Sequence, residues 1–174
     1  TIVNDAGLSF AASTVGGALS ATATTGDITD SGNLAITGAA TFITGVDGSD
    51  IALDSSGNAF SSSVEMRADA GGEDFGNITF VDSAGIDFAT SAGSNGDLYI
   101  NSSTDGTVGG NLSVTATTGN ITDTVAVVTT GSSTSSFTTS ATNGTIDLST
   151  PASLAGAVTI NTAGASGNAT IDNG

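Results

Sequence analysis

Residues Gly16 to Asp30 read GGALSATATTGDITD, and residues Gly109 to Asp123 read GGNLSVTATTGNITD. The two stretches lie 93 positions apart and agree at 12 of 15 positions. Self-similarity in a chain punctuated by glycine marks a repeat architecture. The echo runs on more weakly. Phe42 returns as Phe137, Ile51-Ala52-Leu53 as Ile146-Asp147-Leu148, Phe60 as Leu154, and Val64 and Met66 as Val158 and Ile160. A second echo, at offset 78, relates Asp5-Ala6-Gly7-Leu8-Ser9-Phe10 to Ser83-Ala84-Gly85-Ile86-Asp87-Phe88. The unequal offsets place an insertion near Ala92 to Val108. The organisation read from this is one segment, 1–174, in which residues 16–68 repeat as 109–162. The first residue, Thr1, and the closing Asp172-Asn173-Gly174 suggest a piece cut from a longer repeat protein.

A shorter rhythm lies inside the long repeat. A small or polar residue followed by Ile or Leu recurs at Ile28, Ile51, Ile78, Leu98, Ile121, Ile146 and Ile171. The spacings are 23, 27, 20, 23, 25 and 25, about 24 on average. A period in the twenties is one turn of a solenoid. Each turn carries short runs of alternating character, such as Asp27-Ile28-Thr29, Leu34-Ala35-Ile36-Thr37 and Thr41-Phe42-Ile43-Thr44. Alternation turns one face of a strand inward and the other outward. A strand so short cannot bury its apolar face alone, so stacking must do it. The fold expected is all-β: a parallel β-helix (β-solenoid) of about seven turns of about 24 residues. On the usual interstrand spacing of about 4.8 Å, this is a rod of roughly 30–35 Å. The recurring Ile and Leu positions are expected to form one inner ladder, and the Phe residues to join the core.

Composition agrees. Ser and Thr together make about 30% of the chain, and Gly adds 25 residues. Thr, Val and Ile favour strands, while Gly, Asn and Asp favour turns. The hydrophobic share is 37%, and mean hydropathy is +0.22, too apolar for a disordered chain. Seventeen carboxylates face one cation, Arg67, for a formal charge of -16. One cation cannot neutralise a run of phosphates, so no nucleic-acid partner is expected. Without His, Cys or Lys there is no ordinary zinc site, thiol nucleophile, Ser-His-Asp triad or Walker lysine. No apolar stretch approaches the length of a membrane helix, so membrane insertion is not expected.

The strings GGNLSVTATTGNITD, GDITDSGNLAITGAATF and SDIALDSSGNAF resemble the repeats of filamentous-haemagglutinin-type proteins. These are large bacterial proteins exported by two-partner or autotransporter routes, and the resemblance spans about Asp5 to Ile160. It implies a right-handed parallel β-helix, an extracellular or cell-surface location, and work as an adhesin, filament or stalk. No Arg-Gly-Asp motif is present.

Candidate site residues are mostly carboxylates. Asp47, Asp50 and Asp54 cluster in sequence, as do Asp69, Glu73 and Asp74. Oxygen clusters can hold Ca²⁺, the one cofactor considered, although neither an EF-hand loop nor the GGxGxDxUx nonapeptide occurs. The competing reading is that Asp fills turns and keeps the rod soluble through like-charge repulsion. Paired carboxylates could also serve a glycosidase, but the supporting cation and aromatic platform reduce to Arg67 and Tyr99, which stand far apart in the repeat. No catalytic residue is assigned. Arg67 is expected beside a carboxylate such as Glu65 or Asp69, or in solvent. Six Asn-x-Ser/Thr triplets, at Asn77, Asn101, Asn111, Asn120, Asn143 and Asn168, are close to what the composition yields by chance. The insertion holds Asn95, Gly96, Asp97, Tyr99, Asn101 and Asp105. It reads either as a binding loop or, because Leu98-Tyr99-Ile100 keeps the rhythm, as a short or bulged extra turn.

The expected function is a structural shaft or spacer in a large bacterial surface protein, without enzymatic activity. Its strand edges suit self-association by end-to-end stacking. The alternative is a module that binds Ca²⁺, a surface glycan or a host receptor, and a polysaccharide-active enzyme ranks below both.

Overall fold

A computed structural model describes residues 1–68, 76–89, 97–100 and 107–174. Among these the structure is all-β, without a helix, and every strand pairing is parallel. The chain winds as a β-solenoid of seven turns. Turn one holds β1 (Ile2–Asn4), β2 (Leu8–Phe10) and β3 (Ser13–Val15). Turn two holds β4 (Leu19–Ala23), β5 (Ile28–Asp30) and β6 (Leu34–Ile36), and turn three β7 (Ala40–Thr44), β8 (Ile51–Leu53) and β9 (Ala59–Phe60). Turn four holds β10 (Val64–Arg67), β11 (Ile78–Asp82) and β12 (Ile86–Phe88), and β13 (Asp97–Ile100) follows it. Turn five holds β14 (Thr107–Val108), β15 (Leu112–Ala116) and β16 (Ile121–Asp123). Turn six holds β17 (Val128–Thr129), β18 (Ser135–Thr142) and β19 (Ile146–Ala152), and turn seven ends in β20 (Val158–Ala163) and β21 (Ala169–Asn173).

The second strand of every turn lies in one seven-stranded sheet, β2-β5-β8-β11-β15-β18-β20. The first face is β1-β4-β7-β10, and the third begins as β3-β6-β9. β13 breaks the order. It lies between β10 and β12, pairing Leu98 with Val64 on one side and with Phe88 on the other. It thereby joins the first-face strands to β12-β16-β19-β21 in a single nine-stranded sheet. Stacked partners elsewhere are 19 to 27 residues apart, as in Ile2 with Ala21 and Ile51 with Ile78. Across this junction they are 34 or 35 apart, as in Ile78 with Leu112 and Ile86 with Ile121.

The junction corrects the expected single ladder. Ile28, Ile51 and Ile78 do stack on one another. The column then continues through Leu112, Ser135 and Val158, not through Leu98. Ile121 and Ile146 belong to a separate column that starts at Ile86 and ends at Ala169. The reason is phase. The echoed motif GGALSATATTGDITD opens on the first face as β4, whereas its copy opens on the second face as β15. Phe42 of β7 and Phe137 of β18, and Val64 of β10 and Val158 of β20, show the same displacement by one face. A spacing count follows the chain and cannot see this rotation.

Inner positions are closed to solvent through the middle turns, with Ile28, Phe42, Ile51, Leu53, Met66, Val114, Ile121 and Phe137 at 0% exposure. Phe10, Phe42, Phe60 and Phe80 form a chain of ring contacts at centroid distances of 6.2, 6.2 and 5.2 Å, linking turns one to four through the interior. Phe88 and Phe137 meet edge to face at 6.0 Å. Five of the seven Phe are buried, Phe10 is half-buried in the first turn, and Phe75 lies outside the described residues. The terminal turns are open. Ile2, Val158 and Ile160 occupy inward positions yet stay 37–40% exposed, because no further turn covers them here. Corners stack as tightly as strands. A Cβ on Gly119 would fall 2.4 Å from the Cα of Gly85 in the turn below, so this corner of the repeat motif requires glycine.

One inner position is discordant. Ser135 interrupts the aliphatic column between Leu112 and Val158, is 3% exposed, and its Oγ has no hydrogen-bond partner. A buried hydroxyl without a partner carries its full desolvation cost. Ser135→Val is expected to stabilise the fold by about 1–2 kcal/mol, read as an upward shift of the urea midpoint. Ile51→Ala, which opens a cavity in the same column, should lower stability by about 2–5 kcal/mol.

Candidate functional site

The corner before the second face shows what the clustered acids and sequon asparagines do. Asp27 Oδ1 accepts the Asp50 backbone N–H at 2.9 Å. Asp50 Oδ1 in turn accepts the Asn77 N–H at 2.7 Å and Asn77 Nδ2 at 3.0 Å. Asn77 Oδ1 accepts the Asn111 N–H, and Asn111 Oδ1 the Thr134 N–H, each at 2.8 Å. In the opposite sense, the N–H of the following strand residue donates to the corner carbonyl one turn on, as from Ile28 to Asp50 and from Ile51 to Asn77, both at 2.9 Å. Each corner is therefore bracketed by one backbone bond and one side-chain bond. The third-face corner uses the same device: Asn120 Oδ1 accepts from the Thr145 N–H at 2.9 Å, and Asn143 Oδ1 from the Ser166 N–H at 3.0 Å. Asp30 and Asp123, which close the two copies of Ile-Thr-Asp, accept pairs of N–H groups from the next turn, Asp54 and Ser55 for one, Ser149 and Thr150 for the other.

This accounts for the described members of the expected cation cluster. Asp47 is exposed beside Gly48, which has φ 73°. Asp50 is a corner bracket. Asp54 is exposed and donates its N–H to Asp30. Among the described residues no three carboxylates come together in a metal-holding group. Asp69, Glu73 and Asp74 lie outside the described residues, as do Asn95, Gly96, Asn101 and Asp105 of the insertion.

Two acids point inward. Asp82, at the inner end of β11, is 2% exposed and accepts the Phe60 N–H at 3.2 Å. Burial raises its pKa, against the pull of hydrogen bonds from Phe60, Ala84 and Ser83. Asp123 is raised too, first by burial, with the Asp147 charge adding to it and bonds from Thr150 and Ser149 opposing it. Buried Asn58 is fully used: Oδ1 accepts the Leu34 N–H at 2.8 Å, and Nδ2 donates to Asp30 Oδ2 at 2.6 Å.

The structure overturns one separation read from the sequence. Arg67 and Tyr99, distant along the repeat, lie on neighbouring strands. Tyr99 of β13 is set directly beside Glu65 of β10, with Arg67 two residues along that strand on the same outer face. On the other flank, Asp97 is opposite Asp87, and Ala89 donates its N–H to Leu98 O at 3.2 Å. The chain's single cation and single tyrosine thus share one half-buried patch with Glu65, Asp97 and Asp87. Glu65, Arg67, Asp97 and Tyr99 each have an interaction partner. Asp87 accepts from Thr122 Oγ1 at 2.9 Å. Only the out-of-order strand brings this set together, and no linear spacing signals it.

Residues 1–67 match a family described as repeats of unknown function, DUF5649. That match covers the first three turns and β10, and ends at Arg67, where the patch begins. No match was found among curated proteins or among solved structures. The family match and the stacked turns make this a repeat protein of β-solenoid form.

The corner bracket predicts a graded response at Asp50. Asp50→Asn keeps the accepting Oδ1, as Asn77 does one turn on, and should leave the melting temperature unchanged or slightly higher. Asp50→Ala removes the acceptor and should cost about 1 kcal/mol. A second expectation concerns pH. For Asp82 and Asp123 the folded-state pKa lies above the ordinary 3.8, so folding favours the protonated acid. Their neutral forms incur no charge-burial penalty below that value, and this stability is lost as pH rises through the folded pKa. Urea midpoints should therefore be higher near pH 4 than at pH 8, and Asp82→Asn should flatten the difference.

Proposed function

We propose that this segment is a structural shaft: a stiff spacer in a large bacterial surface protein of the filamentous-haemagglutinin type, placed outside the cell. The observation that carries the reading is the stacking of seven parallel turns around one apolar interior, with corner side chains bracketing one turn to the next. Such a molecule delivers length and stiffness, because each turn contacts only its neighbours and the core never widens into a globule. The -16 charge supports it. A net charge of that size keeps neighbouring rods apart in solution. The resemblance of the repeat strings to exported adhesins supports the location.

Circular dichroism tests the solenoid on which the shaft depends: a β-type spectrum is the expected result, and a helical one is not. Thermal melts with and without millimolar Ca²⁺ separate the shaft from a metal-dependent module. The shaft reading expects the same melting temperature in both.

A further inference from the structure

We infer that the outer surface of β10, β13 and β12 is a binding site for an uncharged oligosaccharide, with Tyr99 as its platform. The inference adds a ligand site to the shaft and rests on the placement of β13, not on the shaft reading.

Three observations lead there. First, the chemistry is concentrated. One Arg, one Tyr and no Trp exist in 174 residues, and the Arg and the Tyr meet on adjacent strands together with Glu65. Elsewhere outer strand positions are chiefly Ser, Thr, Ala and Asp. A Tyr ring offers a flat apolar face with a polar rim, which suits the C–H face and hydroxyl edge of a sugar. Second, the neighbours are of the right kind. Glu65, Asp97 and Asp87 supply carboxylate acceptors for sugar hydroxyls, and Arg67 supplies planar donors. On its β12 side Tyr99 borders Ala89, whose short side chain crowds the ring little. Third, the patch is built at some cost. Asp97 and Asp87 stand directly opposite each other on adjacent strands, where like charges destabilise. A ligand whose hydroxyls donate hydrogen bonds to both carboxylates uses what folding alone disfavours.

Asp87 is held in advance by the Thr122 hydroxyl. Pre-ordered groups lose less entropy on binding. The outer row continues with the strands: Asp97, Asp87, Thr122 and Asp147 follow one another on β13, β12, β16 and β19. Their step, about 4.8 Å, is close to the length of one sugar residue in a chain. A glycan lying along the rod axis would therefore meet a carboxylate or hydroxyl at each residue, with Tyr99 beside its first. The surrounding negative charge selects the class, because uronate, sialylated or sulfated chains would be repelled.

The composition supplies the probe. With no Trp and a single Tyr, intrinsic fluorescence excited at the tyrosine band reports on Tyr99 alone. Titration with xylohexaose, cellohexaose and N-acetylchitohexaose, with hexagalacturonate as the anionic control, is expected to give saturable change with at least one neutral hexasaccharide and none with the uronate. Isothermal calorimetry on the same ligand should then show Tyr99→Phe binding within about threefold of wild type, Tyr99→Ala losing binding at least tenfold, and Glu65→Gln weakening it, with all three variants retaining the wild-type circular dichroism. Silence of Tyr99 towards all three neutral hexasaccharides at 10 mM would overturn the proposal. So would tighter binding of the uronate, or binding that survives Tyr99→Ala.

Discussion

A strand of two to five residues has nothing to offer on its own, and most strands among the described residues are no longer than that. What holds the molecule is the parallel hydrogen bonding of one turn to the next, in a register that puts apolar on apolar. The corners decide whether that register can persist. In a strand each N–H finds a carbonyl by default, but at a bend the chain turns away and leaves donors exposed. Here Asp and Asn reach across to the next turn and accept those donors. The same residue types that give the chain its acidity are thus part of its backbone satisfaction, and one solution recurs along the second-face corner from Asp27 to Asn111.

Much of this was legible in sequence, for a physical reason. Inward and outward positions alternate strictly, so Leu34-Ala35-Ile36 and Thr41-Phe42-Ile43 declared their faces, and the doubled motif declared the winding. The number of turns followed from the period. What stayed hidden was three-dimensional phase. Leu98 keeps the rhythm of the ladder yet stacks on Val64 and Phe88, outside the column it was expected to join. The roles of Asp27, Asp50, Asn77 and Asn111 could have been suspected, since each stands just before a column residue. Sequence alone weighs Asp50 as a Ca²⁺ ligand against a turn residue and takes the sequons at Asn77 and Asn111 as close to chance; neither reading points to a bond into the next turn. The meeting of Arg67 with Tyr99 had no linear signal at all. It depends on a strand inserted out of chain order.

The inner polar groups mark where the design departs from uniformity. Asn58 completes its bonds and costs little. Asp82 is held by several donors but carries a charge in a dry place, and Ser135 holds a hydroxyl that meets nothing. Asn58 and Asp82 sit at strand ends beside corners, and Ser135 opens β18 in the sixth turn. A repeat protein tolerates such flaws because each is shared only with the turns above and below it.

The one-face displacement of the repeat has a mechanical side. A rod whose faces differ in strand length and side-chain bulk is not equally stiff in all directions, and each face biases the rod to curve its own way. If every copy of the motif lay on the same face, these biases would add along the length and the rod would arc. By setting the second copy a face further round, the junction at β13 turns the preferred bending direction with it. A bend favoured by one copy is therefore not simply repeated by the next.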